Sequence, residues 1–331
     1  MGDSIMSKIR LHGSTSGYKD LVVPAVSDNA EVNIDNVVSN NYSTSAYVSN
    51  TSFEALKSNS LGRRNLIING AMEVWQRGTS FSGSFLYNAD RWRADNTPGG
   101  TAAQSTDSPD DFEYSLKVDP TSGNAVIRQA IELPSAGKGG RFRSGQTFTL
   151  SFWIKSDNSG EAINIFIASS TEVGGTTTTH VNDTSTGLTT NTTWTKYTYT
   201  YTQASNVGGS DTCYNIVPYV ATPSGAVYFT GIQLELGDTA TPFEHRSYGE
   251  ELALCQRYYE IVGMTVTTTG QFDNALSYAV PKRATPTLSV FSGTLNGATV
   301  LAMPNNSVGQ IRQQTNPSFA ADVAIQADAE L

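Results

Sequence analysis

The strictest constraint on the fold is a period of two. In FTLSFWIKS, Phe148, Leu150, Phe152 and Ile154 fall on one side of an extended chain, and in AINIFIAS the isoleucines 163, 165 and 167 do the same. WTKYTYTYT sets Tyr197, Tyr199 and Tyr201 against Thr198, Thr200 and Thr202. Side chains alternate across a strand, so these runs are strands with one buried face, the habit of antiparallel sheets. YNIVPYVAT and GAVYFTGIQLELG add two more, and Pro218 predicts an edge or a bulge for its strand. The turn-rich SDNSGE between the first two runs predicts a hairpin, which would place Trp153 diagonal to Phe166 on the outward face. With 29 Gly, 15 Tyr and 13 Phe in 331 residues, composition agrees with many short strands. The fold class expected is all-β, with a jelly-roll sandwich at its centre.

Three segments are expected. Residues 1–60 hold strand-like runs around GSTSG and a third, AEVNIDNVV, before a polar stretch; they form an arm too small for its own core. Residues 61–246 form the sandwich, opening with NLIINGAMEVW, where Leu66–Ile68 start a strand, Asn69–Gly70 turn it, and Met72, Val74 and Trp75 re-enter the core. Its core is expected around Phe148, Phe152, Ile163, Ile165, Trp194 and Tyr199. Residues 247–331 begin with one helix in SYGEELALCQRYYEI, capped by Ser247 with Glu250 three residues on, and continue as a smaller β-domain.

Charge and motifs exclude more than they assign. A net charge of −9 argues against general affinity for nucleic acid, and no apolar run approaches the roughly 20 residues of a membrane span. MGDSIMSKIRLHG lacks the apolar core of a secretory signal, so assembly in a cytoplasm is expected. His12, His180 and His245, with Cys213 and Cys255, show no zinc-ligand spacing. No nucleophile elbow, phosphate loop or dinucleotide fingerprint is present, so no catalytic residue and no enzymatic activity is expected.

NLIINGAMEVWQRGTSF with YNADRWRADN, then GIQLELGDTATPFEHRSYGEELALCQRYYE and the terminal ADAEL, resemble bacteriophage tail-fibre and virion appendage proteins. Residues 65–245 also resemble jelly-roll carbohydrate-binding modules. The resemblance implies a virion protein, most simply a tail fibre that contacts a host-surface glycan or other receptor. It also implies a homotrimer whose N-terminal arm joins other tail or virion proteins. A structural head fibre, capsid decoration or adaptor without a receptor site stays open, as does a glycan-degrading tailspike. The ligand candidates are Trp153, Phe166 and Trp92. The outward pair Trp153 and Phe166 suits either stacking on a sugar or a subunit interface, and Trp92 lies among charges at a strand end. No cofactor is expected. Likeness to the carbohydrate modules points to Glu73, Gln233 and Glu235 as positions for a structural calcium.

Overall fold

A computed structural model describes residues 8–12, 18–22, 63–95, 99–133, 142–172, 176, 178–269, 272–293, 299–302, 308–313 and 318–331. The chain forms two compact units, Met1–Lys57 and Ser58–Leu331. In the first, the runs flanking GSTSG pair as β1 (Lys8–His12) and β2 (Tyr18–Val22), antiparallel, with Lys8 opposite Val22. The candidate strand AEVNIDNVV lies outside the described residues.

Among its described residues the second unit is all-β around one helix, and its larger part is a sandwich of two six-stranded antiparallel sheets. The first strands in chain order are β3 (Ser80–Ser82), β4 (Leu86–Tyr87), β5 (Arg93–Asp95), β6 (Thr101–Ser105), β7 (Ser115–Asp119) and β8 (Ala125–Glu132). They are followed by β9 (Thr147–Ser156), β10 (Ile163–Ser170), β11 (Thr178–Asp183), β12 (Thr195–Thr202), β13 (Cys213–Val220) and β14 (Val227–Leu236). One sheet runs β12-β9-β14-β7-β6-β3 and the other β11-β10-β13-β8-β5-β4, with the chain crossing repeatedly between them in the jelly-roll manner. Phe148, Leu150, Phe152 and Ile154 from one sheet and Ile163, Ile165 and Ile167 from the other are fully buried in one core cluster.

The hairpin expected across SDNSGE does not form. β9 pairs with β12 and β14, whereas β10 pairs with β11 and β13. The two apolar faces meet across the sandwich instead of side by side within a sheet. Two other expectations are corrected. Trp194 is only partly buried, set edge-on to Tyr228 and donating to Asp107. Pro218 lies in a central strand, opposite Ile165 of β10. Pairing between β13 and β8 lapses there, running from Ile216 opposite Gln129 to Tyr219 opposite Val126, so the missing N–H interrupts no bond.

Leu66–Ile68 does not become a strand, because side chains take most of its backbone groups, Leu66 N alone donating to Leu234 O (3.0 Å). Gln129 accepts from Ile68 N (2.8 Å) and donates to Ile68 O (2.7 Å), while Arg246 donates to Ile67 O (3.0 Å) and Asn65 O (2.7 Å). Asn69, at φ 56°, is the hub: its side chain accepts from Glu73 N and Val74 N and donates to Val74 O and Asp90 O. Gly70 follows because a Cβ there would stand 2.1 Å from Ile232 O.

The helix α1 spans Tyr248–Gln256, with the Ser247 hydroxyl accepting from Glu250 N (3.4 Å) and Glu251 and Cys255 buried. Beyond it lie β15 (Tyr259–Thr269), β16 (Phe272–Ser277), β17 (Thr287–Ser292), β18 (Thr299–Ala302), β19 (Val308–Gln313) and β20 (Ser318–Asp328). They form two three-stranded sheets, β15-β20-β17 and β16-β19-β18. The arginines of the opening motifs hold this part against the sandwich. Arg77 lies 3.5 Å over the Tyr259 ring and Arg91 3.5 Å over the Tyr258 ring, and both pair with Glu330.

Candidate functional site

The three predicted ligand residues are dispersed. Trp92 is fully buried and donates its indole N–H to Asn69 O at 2.9 Å, so it is a core residue with no surface to offer. Trp153 sits on the outer face of the β9 sheet, opposite Lys196 and Thr230, where a Cβ on Gly231 would approach it to 2.6 Å. Phe166 is on the outer face of the other sheet, so the diagonal contact with Trp153 does not exist.

The calcium candidates are likewise engaged elsewhere. Glu235 accepts from Thr241 N (3.0 Å) and Thr241 Oγ1 (2.5 Å), while Gln233 accepts from Glu244 N (2.8 Å), and together they fasten the segment after β14. Glu73 is half-buried, and burial, with Glu251 nearby, pushes its carboxyl above the usual range. Among the described residues no group of three or more His, Cys, Asp or Glu is placed to hold a metal. Calcium takes six or more oxygens, and the two strand residues already spend theirs on the loop.

The chemistry gathers around Phe166. Register defines a row across the sheet: Asn182 of β11 stands opposite Phe166, Phe166 opposite Val217, Arg128 opposite Arg93, and Arg93 opposite Tyr87. The next row runs Asn164, Tyr219, Val126, Asp95. A third places Ala168 opposite Asn215, and Asn215 opposite Ala130. Because Ile163, Ile165, Tyr214, Ile216, Ile127 and Ala94 face the core, their alternating neighbours all lie on the outer side.

Among the described residues, several polar atoms of this sheet lack hydrogen-bond partners. Asn164 Oδ1, Asn215 Oδ1, Arg128 Nη1 and the Tyr87 hydroxyl are buried without a hydrogen bond. Asn215 donates its amide N–H to Ser170 Oγ (2.9 Å), and Arg128 donates Nε–H to Asp95 (2.6 Å), which also accepts from Arg93 (2.6 Å). Burial pushes the Tyr87 phenol up, against the pull of Arg91, Arg93 and Arg77, and keeps its O–H protonated. Each orphaned buried polar group costs about 1–3 kcal/mol unless water or a ligand supplies its partner.

Phe166 and Tyr219, diagonal neighbours and both partly exposed, add ring faces beside Asn164 and Asn215. The carboxylates Asp95 and Glu132 are held by Arg93 and Arg128 and by Arg257 and Tyr258 respectively. An aromatic surface, amides and a cation recognise a hydroxylated ring; tied carboxylates are poorly placed for acid–base work. Sequence reasoning found Phe166 but missed Asn164, Asn215 and Arg128. The signal was available, since each interrupts a run whose alternate residues point to the core.

No protein-family model and no characterised protein sequence matches the chain. Among solved structures, the enzymatically active domain of bacteriophage CBA120 tailspike protein 4 shares 17% identity at a TM-score of 0.34, over 52% of this chain and 21% of that one. A family 4 carbohydrate-binding module shares 14% at 0.33, over 45% of this chain and 97% of that one. The C-terminal family 22 carbohydrate-binding module of Clostridium thermocellum Xyn10B shares 14% at 0.34, over 51% of this chain and all of that one. This chain spans about a fifth of the length of that tailspike domain. Likeness at this level assigns neither ligand nor activity.

Proposed function

We propose that the chain is a phage virion appendage protein, a tail fibre in the simplest form, that binds a host-surface glycan through the outer face of the β10 sheet. The observation that carries the binding half is the face itself: Asn164, Asn215 and Arg128 carry orphaned polar atoms on the same side of the sheet as the rings of Phe166 and Tyr219. Saccharides offer both apolar ring faces and hydroxyls, and this mixture matches both. The virion half is supported by the resemblance of residues 65–81, 87–96 and 231–260 to appendage proteins. The same resemblance supports a trimer joined to the particle by residues 1–60, and static light scattering of the full chain should give three times the mass of 35.4 kDa; a stable monomer would sink that part.

Binding is tested on an array of bacterial surface polysaccharides. Wild-type protein should retain one or more of them, and Phe166→Ala should weaken retention without lowering the melting temperature. Trp153→Ala, on the opposite sheet, should bind as wild type does. Loss of binding in Trp153→Ala alone would move the site to the β9 sheet.

A further inference from the structure

We infer that this face takes an extended, carboxylate-bearing saccharide chain lying across the strands, held by rings at both ends and by Arg93 and Arg128 between them. The inference rests on the glycan-binding reading and adds the ligand's charge, direction and length.

Direction and length come from the placement of the rings. Phe166 and Tyr219 occupy β10 and β13, while Phe85 precedes β4 at the opposite edge, close enough for Arg93 to lie 5.6 Å from its ring centroid. From β10 to β4 the order is β10-β13-β8-β5-β4. Four strand spacings of about 4.8 Å separate the two aromatic ends by roughly 19 Å. That span exceeds one or two sugar rings and suits a chain of several.

Phe85 is itself unusual. It is 61% exposed and held at φ 63°, a conformation that costs a bulky residue energy and returns no burial. Its backbone is fixed by a bond from Phe85 N to Ala94 O at 2.8 Å. A strained, solvent-facing aromatic ring at the edge of this sheet is placed to meet something outside the chain.

The charge comes from the middle of the row. Arg93 and Arg128 share one carboxylate, Asp95, so two cations face one anion, a net charge of +1 within a chain of −9. Both Asp95 oxygens are occupied by these guanidinium groups, yet Arg128 Nη1 still has no partner. The planar guanidinium fork fits a carboxylate by paired N–H···O bonds, and such charge-assisted bonds are stronger than those to a neutral hydroxyl. Glu132, the other carboxylate on this face, is already held by Arg257 at 3.0 Å and cannot serve. A carboxyl group on the ligand completes the set.

The test immobilises acidic and neutral bacterial polysaccharides and measures retention of the full chain. The tightest polymer should carry carboxylates, and reducing them to alcohols should weaken binding about tenfold or more. Arg128→Gln should lose that preference, retaining the acidic polymer and its reduced form to the same extent. Oligosaccharides cut from the best polymer should bind more tightly with length, and Phe85→Ala should abolish the gain from added sugars. If Arg128→Gln fails to fold, carboxyl reduction with wild-type protein still decides the charge, and Phe85→Ala, at an exposed position, still decides the length. A neutral polymer binding best overturns the inference, as does binding indifferent to carboxyl reduction, including that of a sulfated or phosphorylated polymer. A flat response to oligosaccharide length overturns the two-ended grip. Retention of no polysaccharide at all overturns the glycan-binding reading itself, a result distinct from tight binding of a neutral chain.

Discussion

Single residues decide how the opening motif works. Asn69 closes one knot that includes Glu73, Val74, Asp90 and Trp92, which is why a polar side chain is fully buried. Within the core, Phe152 is fully buried and stacks on Tyr197 at 6.0 Å. Phe152→Ala should cost about 3–5 kcal/mol in denaturant unfolding; a cost under about 1 kcal/mol would contradict its placement. Asp90 gives a pH signature. Burial pushes its carboxyl up to about 6, outweighing the opposing pull of Arg77 and Gln76. The folded state therefore binds a proton that the unfolded chain, titrating near 3.9, has released. That contribution to stability is full below about pH 4 and is lost as pH rises through about 6. Asp90→Asn should remove the slope over that interval, and an identical slope in the variant would assign it to other groups. Residue faces were legible: alternation alone placed Phe148, Phe152 and Ile165 inward. Trp92 was misread because its neighbours in sequence are charged, whereas its neighbours in space are the core.

At the scale of elements, the five long strands β9, β10, β12, β13 and β14 and the helix were legible, but β3 to β8 and β11 were not, and neither were the partners of any sandwich strand. Alternation reports which face is buried and says nothing about which strand lies alongside, so β9 and β10 could be read as a hairpin when they belong to opposite sheets. The same error joined Trp153 to Phe166. Once the sheets are assigned, Asn164, Asn215 and Arg128 fall beside Phe166 without further assumption. β18 and β19 were not anticipated, since TVLA and VGQIRQ are short and carry little alternation. One element carries a device that sequence marks only as a glycine. Where β14 passes β9 the register shifts between Thr230 and Gln233, and Gly231 there has φ 60°. A methyl group would stand 2.6 Å from both Phe112 and Trp153. Gly231→Ala should therefore cost about 2 kcal/mol or more, from strain and overpacking together. A variant as stable as wild type would mean the bulge relaxes freely.

At the scale of the whole second unit, the sandwich and the C-terminal sheets are joined through charge as well as packing. Arg91 is 1% exposed and Glu330 6% exposed in their side chains, and Arg77 shares the same carboxylate. Removing one partner of a buried pair leaves the other charge uncompensated, so Glu330→Gln should destabilise by about 3–5 kcal/mol. Proteolysis should then cut within 257–331 before the sandwich; cutting indistinguishable from wild type would show that packing alone holds the junction. The central claim, that the β10 sheet presents the binding face, is tested most directly by hydroxyl-radical footprinting of the full chain with and without a polysaccharide it retains. Phe85, Phe166 and Tyr219 should be protected, with Trp153, Trp194 and Tyr228 on the opposite side oxidised at unchanged rates. Protection confined to Trp153, Trp194 and Tyr228 would contradict that claim.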